Sequence, residues 1–165
     1  MDVTQKARDA VVSAVGAAAR KLPGRGPGAP AQQTLTVARP AGDVLAAWGD
    51  AQVVSRLLGE AGRAEADGAR WTFTPAAGGP VDAELVPTGE GLEFRRPGGG
   101  DVLLRVSTRP APADLGTEVT CEVAPELSAG LGAVPFTLLY RLRALLLTGE
   151  IPTLGPQPAA REEER

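Results

Sequence analysis

Few side chains in this sequence can do covalent or acid–base chemistry, and their scarcity narrows the functions open to it. There is no histidine. That removes Ser-His-Asp and Cys-His nucleophilic mechanisms and histidine metal sites. The lysines are Lys6 and Lys21, both near the start, so a Schiff-base lysine is excluded from the rest of the chain. The single cysteine, Cys121, allows neither an intramolecular disulfide nor a CxxC centre. Set among apolar strand residues, it behaves as a small buried hydrophobe. Carboxylates and the one tyrosine, Tyr140, are the remaining acid–base groups. No metal site and no cofactor are expected. The glycine runs Gly78-Gly79 and Gly98-Gly99-Gly100 sit in hairpin turns, not between a strand and a helix, so they are not phosphate-binding loops.

The elements that would position these groups follow from periodicity and punctuation. Thr34–Val37 alternates as a strand and Arg39-Pro40 ends it. Pro40 can open a helix. Asp43, Val44, Leu45 and Trp48 continue it to Gly49, and Ala51–Leu58 forms a second short helix. Six strand segments follow at 63–66, 70–74, 81–86, 92–95, 102–107 and 117–123, separated by Gly- and Pro-rich turns. The last element is a helix over Phe136–Leu147, with Leu138, Leu139, Leu142, Leu145 and Leu146 covering much of it, Gly149 at the C-terminal cap and Pro152 beyond. This order predicts an α+β fold: a curved antiparallel sheet of six to seven strands gripping a C-terminal helix, with two short helices after the first strand.

Strand parity turns Trp71, Phe73, Ala83, Leu85, Leu92, Phe94, Leu104, Val106, Val119, Cys121 and Val123 to one face, taken as the concave one. Together with Leu139 and Tyr140 of the terminal helix they form the candidate ligand-binding set. An apolar concavity of this kind suits a hydrophobic ligand; the same residues would equally make an ordinary filled core. Tyr140 is the one weak catalytic candidate. It either aims its hydroxyl inward as an acid or donor, or packs its ring with the hydroxyl at the rim. Glu84, Asp82, Glu93 and Arg95 share the outward face and read as cross-strand charge pairing, and Arg105, of outward parity among apolar neighbours, reads as a solvated side chain.

Composition agrees with one domain and flanking segments. The chain has 165 residues, 43% hydrophobic but only 4% aromatic, so the core must be built mainly from Val, Leu and Ala. The formal net charge of −3 is unevenly spread. Residues 1–33 hold five cationic side chains against two acidic ones, whereas residues 34–153 hold ten Arg against fifteen Asp and Glu. An acidic domain argues against a nucleic-acid partner. Residues 1–22 read as an Ala-rich basic helix with Val11, Val15, Ala18 and Leu22 on one side, and residues 23–33 as a Gly/Pro linker. The domain is expected over 34–153 and a disordered polar tail over 154–165. No apolar run approaches membrane length, and the start does not resemble a signal peptide. The expected location is cytoplasmic. Residues 1–22 either dock on the domain or associate weakly with the anionic inner face of the membrane.

Several stretches resemble a known family. Leu35-Thr36-Val37-Ala38-Arg39-Pro40-Ala41-Gly42-Asp43-Val44-Leu45-Ala46-Ala47-Trp48 resembles the start of the SRPBCC superfamily, which includes START-like domains, polyketide cyclase/dehydrases and coenzyme Q-binding proteins. Ala83-Glu84-Leu85-Val86 and Gly116-Thr117-Glu118-Val119-Thr120 resemble two of its strands. Leu147-Thr148-Gly149-Glu150-Ile151-Pro152-Thr153 is similar to the L-x-T-G-E-I-P-T ending of one bacterial branch. The resemblance implies a helix-grip fold with a cavity, between sheet and long helix, for an apolar or aromatic small molecule. One departure stands out. Ala129-Gly130-Leu131-Gly132-Ala133-Val134-Pro135 leads almost directly into Phe136, so the terminal helix is expected to be several turns short, which bears on the closure and size of any cavity.

Three function classes follow. The favoured one is a non-catalytic binder or carrier of a hydrophobic small molecule such as a lipid, quinone or polyketide. The alternatives are a polyketide cyclase, aromatase or dehydratase, and an interaction module with a filled interior. The fold itself does not choose among them.

Overall fold

The computed structural model describes residues 30–131 and 135–152. The expected helix over 1–22, most of the linker and the tail lie outside the described residues. Seven strands, β1 (Ala31–Val37), β2 (Gly62–Asp67), β3 (Arg70–Pro75), β4 (Val81–Pro87), β5 (Gly91–Arg95), β6 (Val102–Pro110) and β7 (Thr117–Val123), form one antiparallel sheet in the order β1-β7-β6-β5-β4-β3-β2. The sheet curls into a half-barrel. Helices α1 (Ala41–Trp48) and α2 (Ala51–Leu58) lie between β1 and β2 in sequence, and α3 (Pro125–Leu131) and α4 (Pro135–Thr148) follow β7. The α+β helix-grip architecture expected from the sequence is the one observed.

Local chemistry sets the boundaries. Alternation is clean in β7, where every second side chain from Thr117 to Val123 is buried. The Asp50 carboxylate caps α2 by accepting from the backbone N–H groups of Gln52 at 2.8 Å and Val53 at 3.3 Å. At the other end of α2, Gly59 takes φ +58°, a left-handed conformation that favours glycine. A Cβ there would also lie 2.8 Å from Arg141 Nη1. That guanidinium donates to the carbonyls of Leu57 at 2.8 Å and Leu58 at 3.1 Å, so α4 itself satisfies the orphan carbonyls that end α2. Arg39, just beyond β1, donates from Nε to Leu146 O at 3.0 Å and pins the far end of α4.

Four features differ from expectation. β1 begins at Ala31, three residues before the alternating stretch. Backbone pairing of Ala31 with Val123 and Gln33 with Cys121 extends the strand past where side chains alternate, so residues 31–33 belong to the sheet and not to the linker. β6 runs on to Pro110, with Arg109 ion-paired to Glu118 across the ladder. Pairing of β5 with β6 shifts between Phe94 and Arg95, which face Leu104 and Val102, so Leu103 is the extra residue of a bulge and is fully buried. Finally, α3 is a helix where a glycine-rich connection was expected. Pro125 opens it and Leu127 and Leu131, one turn apart, are buried in the core. The terminal helical region is therefore supplied in two pieces.

The edge strand β2 is closed by one hydroxyl. Ser55 of α2 donates to Ala64 O at 2.9 Å and accepts from Ala64 N at 2.8 Å. Ser55→Ala leaves both backbone groups of a buried residue without partners. We expect it to lower stability by about 1–3 kcal/mol, read as the urea-unfolding midpoint. An unchanged midpoint would mean that this edge does not depend on the hydroxyl.

Candidate functional site

The concave face of the sheet gathers the expected residues. Trp71, Phe73, Ala83, Leu92, Phe94, Leu104, Val106, Val119, Cys121 and Leu139 are all buried in one apolar cluster, and Leu85 is half-buried against it. Three rings form its centre. Phe94 stands edge-on to Trp71 at 4.8 Å and to Phe73 at 5.3 Å, and Trp71 lies 6.0 Å from Phe73. Edge-on contacts of this kind favour the aromatic quadrupoles. Leu138, Leu139 and Leu142 of α4 and Leu127 and Leu131 of α3 close the face from above, and Val44, Trp48, Val54, Leu57 and Leu58 of α1 and α2 close its side.

The interior is shut. Phe73, Phe94, Val106, Val119, Cys121, Leu139 and Leu142 are 0% exposed. Side chains with no accessible surface border no space that a water-sized sphere could enter. The shortened helical region is compensated by α3, whose leucines fill the gap.

Tyr140 is the exception among the candidates. It is 49% exposed. On the helix it falls with Phe136 and Leu147, away from the inward leucines at 138, 139 and 142. Its ring stacks on Phe136 at 6.1 Å outside the core, so it supplies no interior acid. Cys121 supplies none either: burial, helped by the charge of Glu122, pushes its thiol up to about 12.

What the interior does contain is two indole N–H groups. Nε1 of Trp48 and Nε1 of Trp71 are buried without a hydrogen-bond partner among the described residues. Such donors are rare in folded proteins because each costs about 1–3 kcal/mol. Sequence parity identified Trp71. It missed Trp48, which lies on α1 and carries no strand signal. A surface depression of about 420 Å³ lies on the outer side of β3 and β4, bounded by Arg70, Thr72, Asp82, Glu84 and the Pro97-Gly98 turn. Its size falls in the range of small-molecule sites. A second depression, of about 390 Å³, lies over Gly59–Gly62 and Thr74–Ala76, away from the candidate residues.

The convex face is a charge ladder. The Glu93 carboxylate accepts from Arg95 Nε at 2.7 Å and Arg105 Nε at 2.8 Å, and Arg105 reaches on to Glu122 at 3.1 Å. Arg105, expected to be solvated, makes the pairs that cross strands, Glu93 and Arg95 pair within β5, and Asp82 and Glu84, expected to join them, form no ion pair among the described residues.

The molecule is thus an α+β protein of helix-grip type, with a closed apolar interior and a charged outer sheet. Its likeness to known structures agrees. The crystal structure of DR_A0006 from Deinococcus radiodurans matches with 27% identity and a TM-score of 0.53, over 73% of this chain and 99% of that one. The solution structure of the KanY protein (ms6282) matches with 19% identity and a TM-score of 0.51, over 72% of this chain and 97% of that one. No protein-family model and no curated protein matches.

The Glu93 cluster makes stability depend on pH. Burial pushes its carboxyl up, but the hydrogen bonds and charges of Arg105 and Arg95 outweigh that and hold it below the ordinary 4.5. A depressed folded value means that the stabilisation is present above that ordinary value and is lost as pH falls through the folded one. We expect urea midpoints that hold from about pH 8 to pH 5 and drop at lower pH. Glu93→Gln should flatten that drop and cost about 1–2 kcal/mol at neutral pH, a modest loss because both arginines are partly solvated. An identical acid limb in the variant would assign the pH dependence elsewhere.

Proposed function

We propose that the chain is a non-catalytic, cytoplasmic binder or carrier of a hydrophobic small molecule that offers a hydrogen-bond acceptor, such as a quinone, a polyketide or a lipid carbonyl. The observation behind this reading is the pair of unpartnered indole N–H groups, on Trp48 and Trp71, in an otherwise apolar interior. A ligand oxygen meeting either donor would recover the free energy that the empty fold forgoes. The aromatic group Trp71, Phe73 and Phe94 would accept a flat, conjugated body. The sequence resemblance to the SRPBCC superfamily, with its START-like and coenzyme Q-binding members, points the same way.

A cyclase or dehydratase function has little support. It needs a convergent acid or base inside, and Tyr140 lies outside while the Cys121 thiol stays protonated. The second reading is an interaction module whose interior never opens. The full burial of the concave side chains favours it.

Native mass spectrometry of the full chain purified from its own cells separates these readings. A carrier shows a mass adduct that organic extraction removes and that the cells' lipid extract restores. Restoration is accompanied by a shift in emission from Trp48 and Trp71, the only tryptophans. Trp71→Phe keeps an aromatic ring but removes the donor, so it should weaken rebinding about tenfold, the value of one hydrogen bond. Its stability should change by less than about 1 kcal/mol, because the lost volume and the relieved donor offset each other. Bare protein with unresponsive tryptophan emission would overturn the carrier function and leave the closed module.

A further inference from the structure

The outer face of α4 is apolar where a solvated helix would be polar. Phe136, Tyr140 and Leu147 are 51%, 49% and 40% exposed. Arg143 is exposed between them and belongs to no ion pair among the described residues. Steps of four, three and four residues bring these side chains into an arc of about 60°. That is the a/d seam of a coiled coil. The helix carries no acidic residue from Pro135 to Thr148. A stacked aromatic pair held in water on such a seam is a surface with an occupant.

We propose that residues 1–22 of this chain lie along that face as a second helix, antiparallel to α4. Val11, Val15, Ala18 and Leu22 repeat the same steps of four, three and four. Set antiparallel, Leu22 meets Phe136, the small Ala18 meets the large Tyr140, Val15 meets the aliphatic stem of Arg143, and Val11 meets Leu147. The same alignment puts Arg8 opposite Glu150 and Lys6 beyond the C-terminal end of α4, where the helix dipole favours cations.

Chain direction agrees. α4 packs along β1, and the bond from Arg39 to Leu146 fixes the end of the helix at the end of that strand. The start of α4 therefore lies toward Ala31, where the chain comes in. The eight residues from 23 to 30 can span up to about 26 Å, more than one helix diameter of about 10 Å.

Magnitude decides between this segment and a second copy of the protein. Two heptads bury little area, so the contact is weak. A short linker supplies an effective concentration of about millimolar, well above the micromolar level at which a second copy would compete.

The test uses the full chain and paired cysteines, since Cys121 is fully buried and stays protonated. Ala18→Cys with Tyr140→Cys should form a disulfide at least tenfold faster than Ala18→Cys with Gln52→Cys, whose partner site is exposed on α2. The rate should not change on tenfold dilution. Leu22→Cys with Phe136→Cys should also close, and Leu22→Cys with Leu147→Cys should not. Emission from the buried tryptophans confirms that each variant is folded. Equal rates for the Tyr140 and Gln52 pairs would overturn docking. Rates that fall with dilution would assign the face to a second copy. Loss of the Ala18–Tyr140 disulfide on adding phosphatidylserine-containing vesicles at low salt would assign residues 1–22 to the membrane surface. Either result would overturn the proposal.

Discussion

Seven strands present one continuous apolar face, and keeping water off it is the constraint on which the rest of the structure depends. At roughly 25 cal/mol per Å² the aromatic and aliphatic side chains of β3 to β7 hold most of the folding free energy this chain can gain. A flat sheet would need a second sheet of equal size to cover it. Curling instead lets four short helices suffice. α4 lies over β1 and β7, α2 seals the side next to β2, α1 packs between them, and α3 plugs the gap that a short terminal helix would otherwise leave. With few aromatics in the chain, Trp71, Phe73 and Phe94 are spent together at one point, and the surrounding leucines and valines interdigitate around them.

Polar groups at the margins then make this cover specific. Hydrophobic burial has no direction, so helices resting on a smooth apolar face could slide. Arg141 anchors α4 to the C-terminal carbonyls of α2, Arg39 anchors its far end, and Ser55 fastens α2 to β2. The two arginine contacts join elements distant in sequence, and all three use a backbone carbonyl that would otherwise lack a partner. On the opposite side of the sheet, Glu93, Arg95, Arg105 and Glu122 do for register what these contacts do for the helices, since a one-residue slip would break the ladder and turn the apolar set outward.

Most of this was legible because period-two alternation survives in single strands. Val119, Cys121 and Val123 announce their face with no knowledge of their partners. The failures have physical reasons. Leu103 is buried through a bulge, and a bulge is a property of two paired strands and not of either one. α3 was hidden because Gly130 and the small residues around it look like breakers, whereas the burial of Leu127 and Leu131 overrides weak helix propensity. Tyr140 was ambiguous because leucines surround it in sequence. Only the direction of the sheet decides which side of α4 is inside. Whether the interior is open was not legible at all, since lining a cavity and filling a core call for the same residue types in the same alternation.

The closed interior and the two unpaired indole donors pull in opposite directions, and together they say something about energetics. A core selected only for stability would replace Trp48 and Trp71 with side chains lacking an N–H, or would set an acceptor beside each. This core does neither, although the side chains around them, such as Phe73, Phe94 and Val106, are fully buried. The free energy forgone, about 1–3 kcal/mol for each donor, is small beside total burial but large beside the net stability of a domain, about 5–15 kcal/mol. A fold that holds such a reserve is packed well enough to stay shut when empty, and it still favours any apolar molecule that brings an oxygen to those donors. Closure in the empty state is then no obstacle to binding, because the same two groups that make the empty interior costlier give a ligand its advantage.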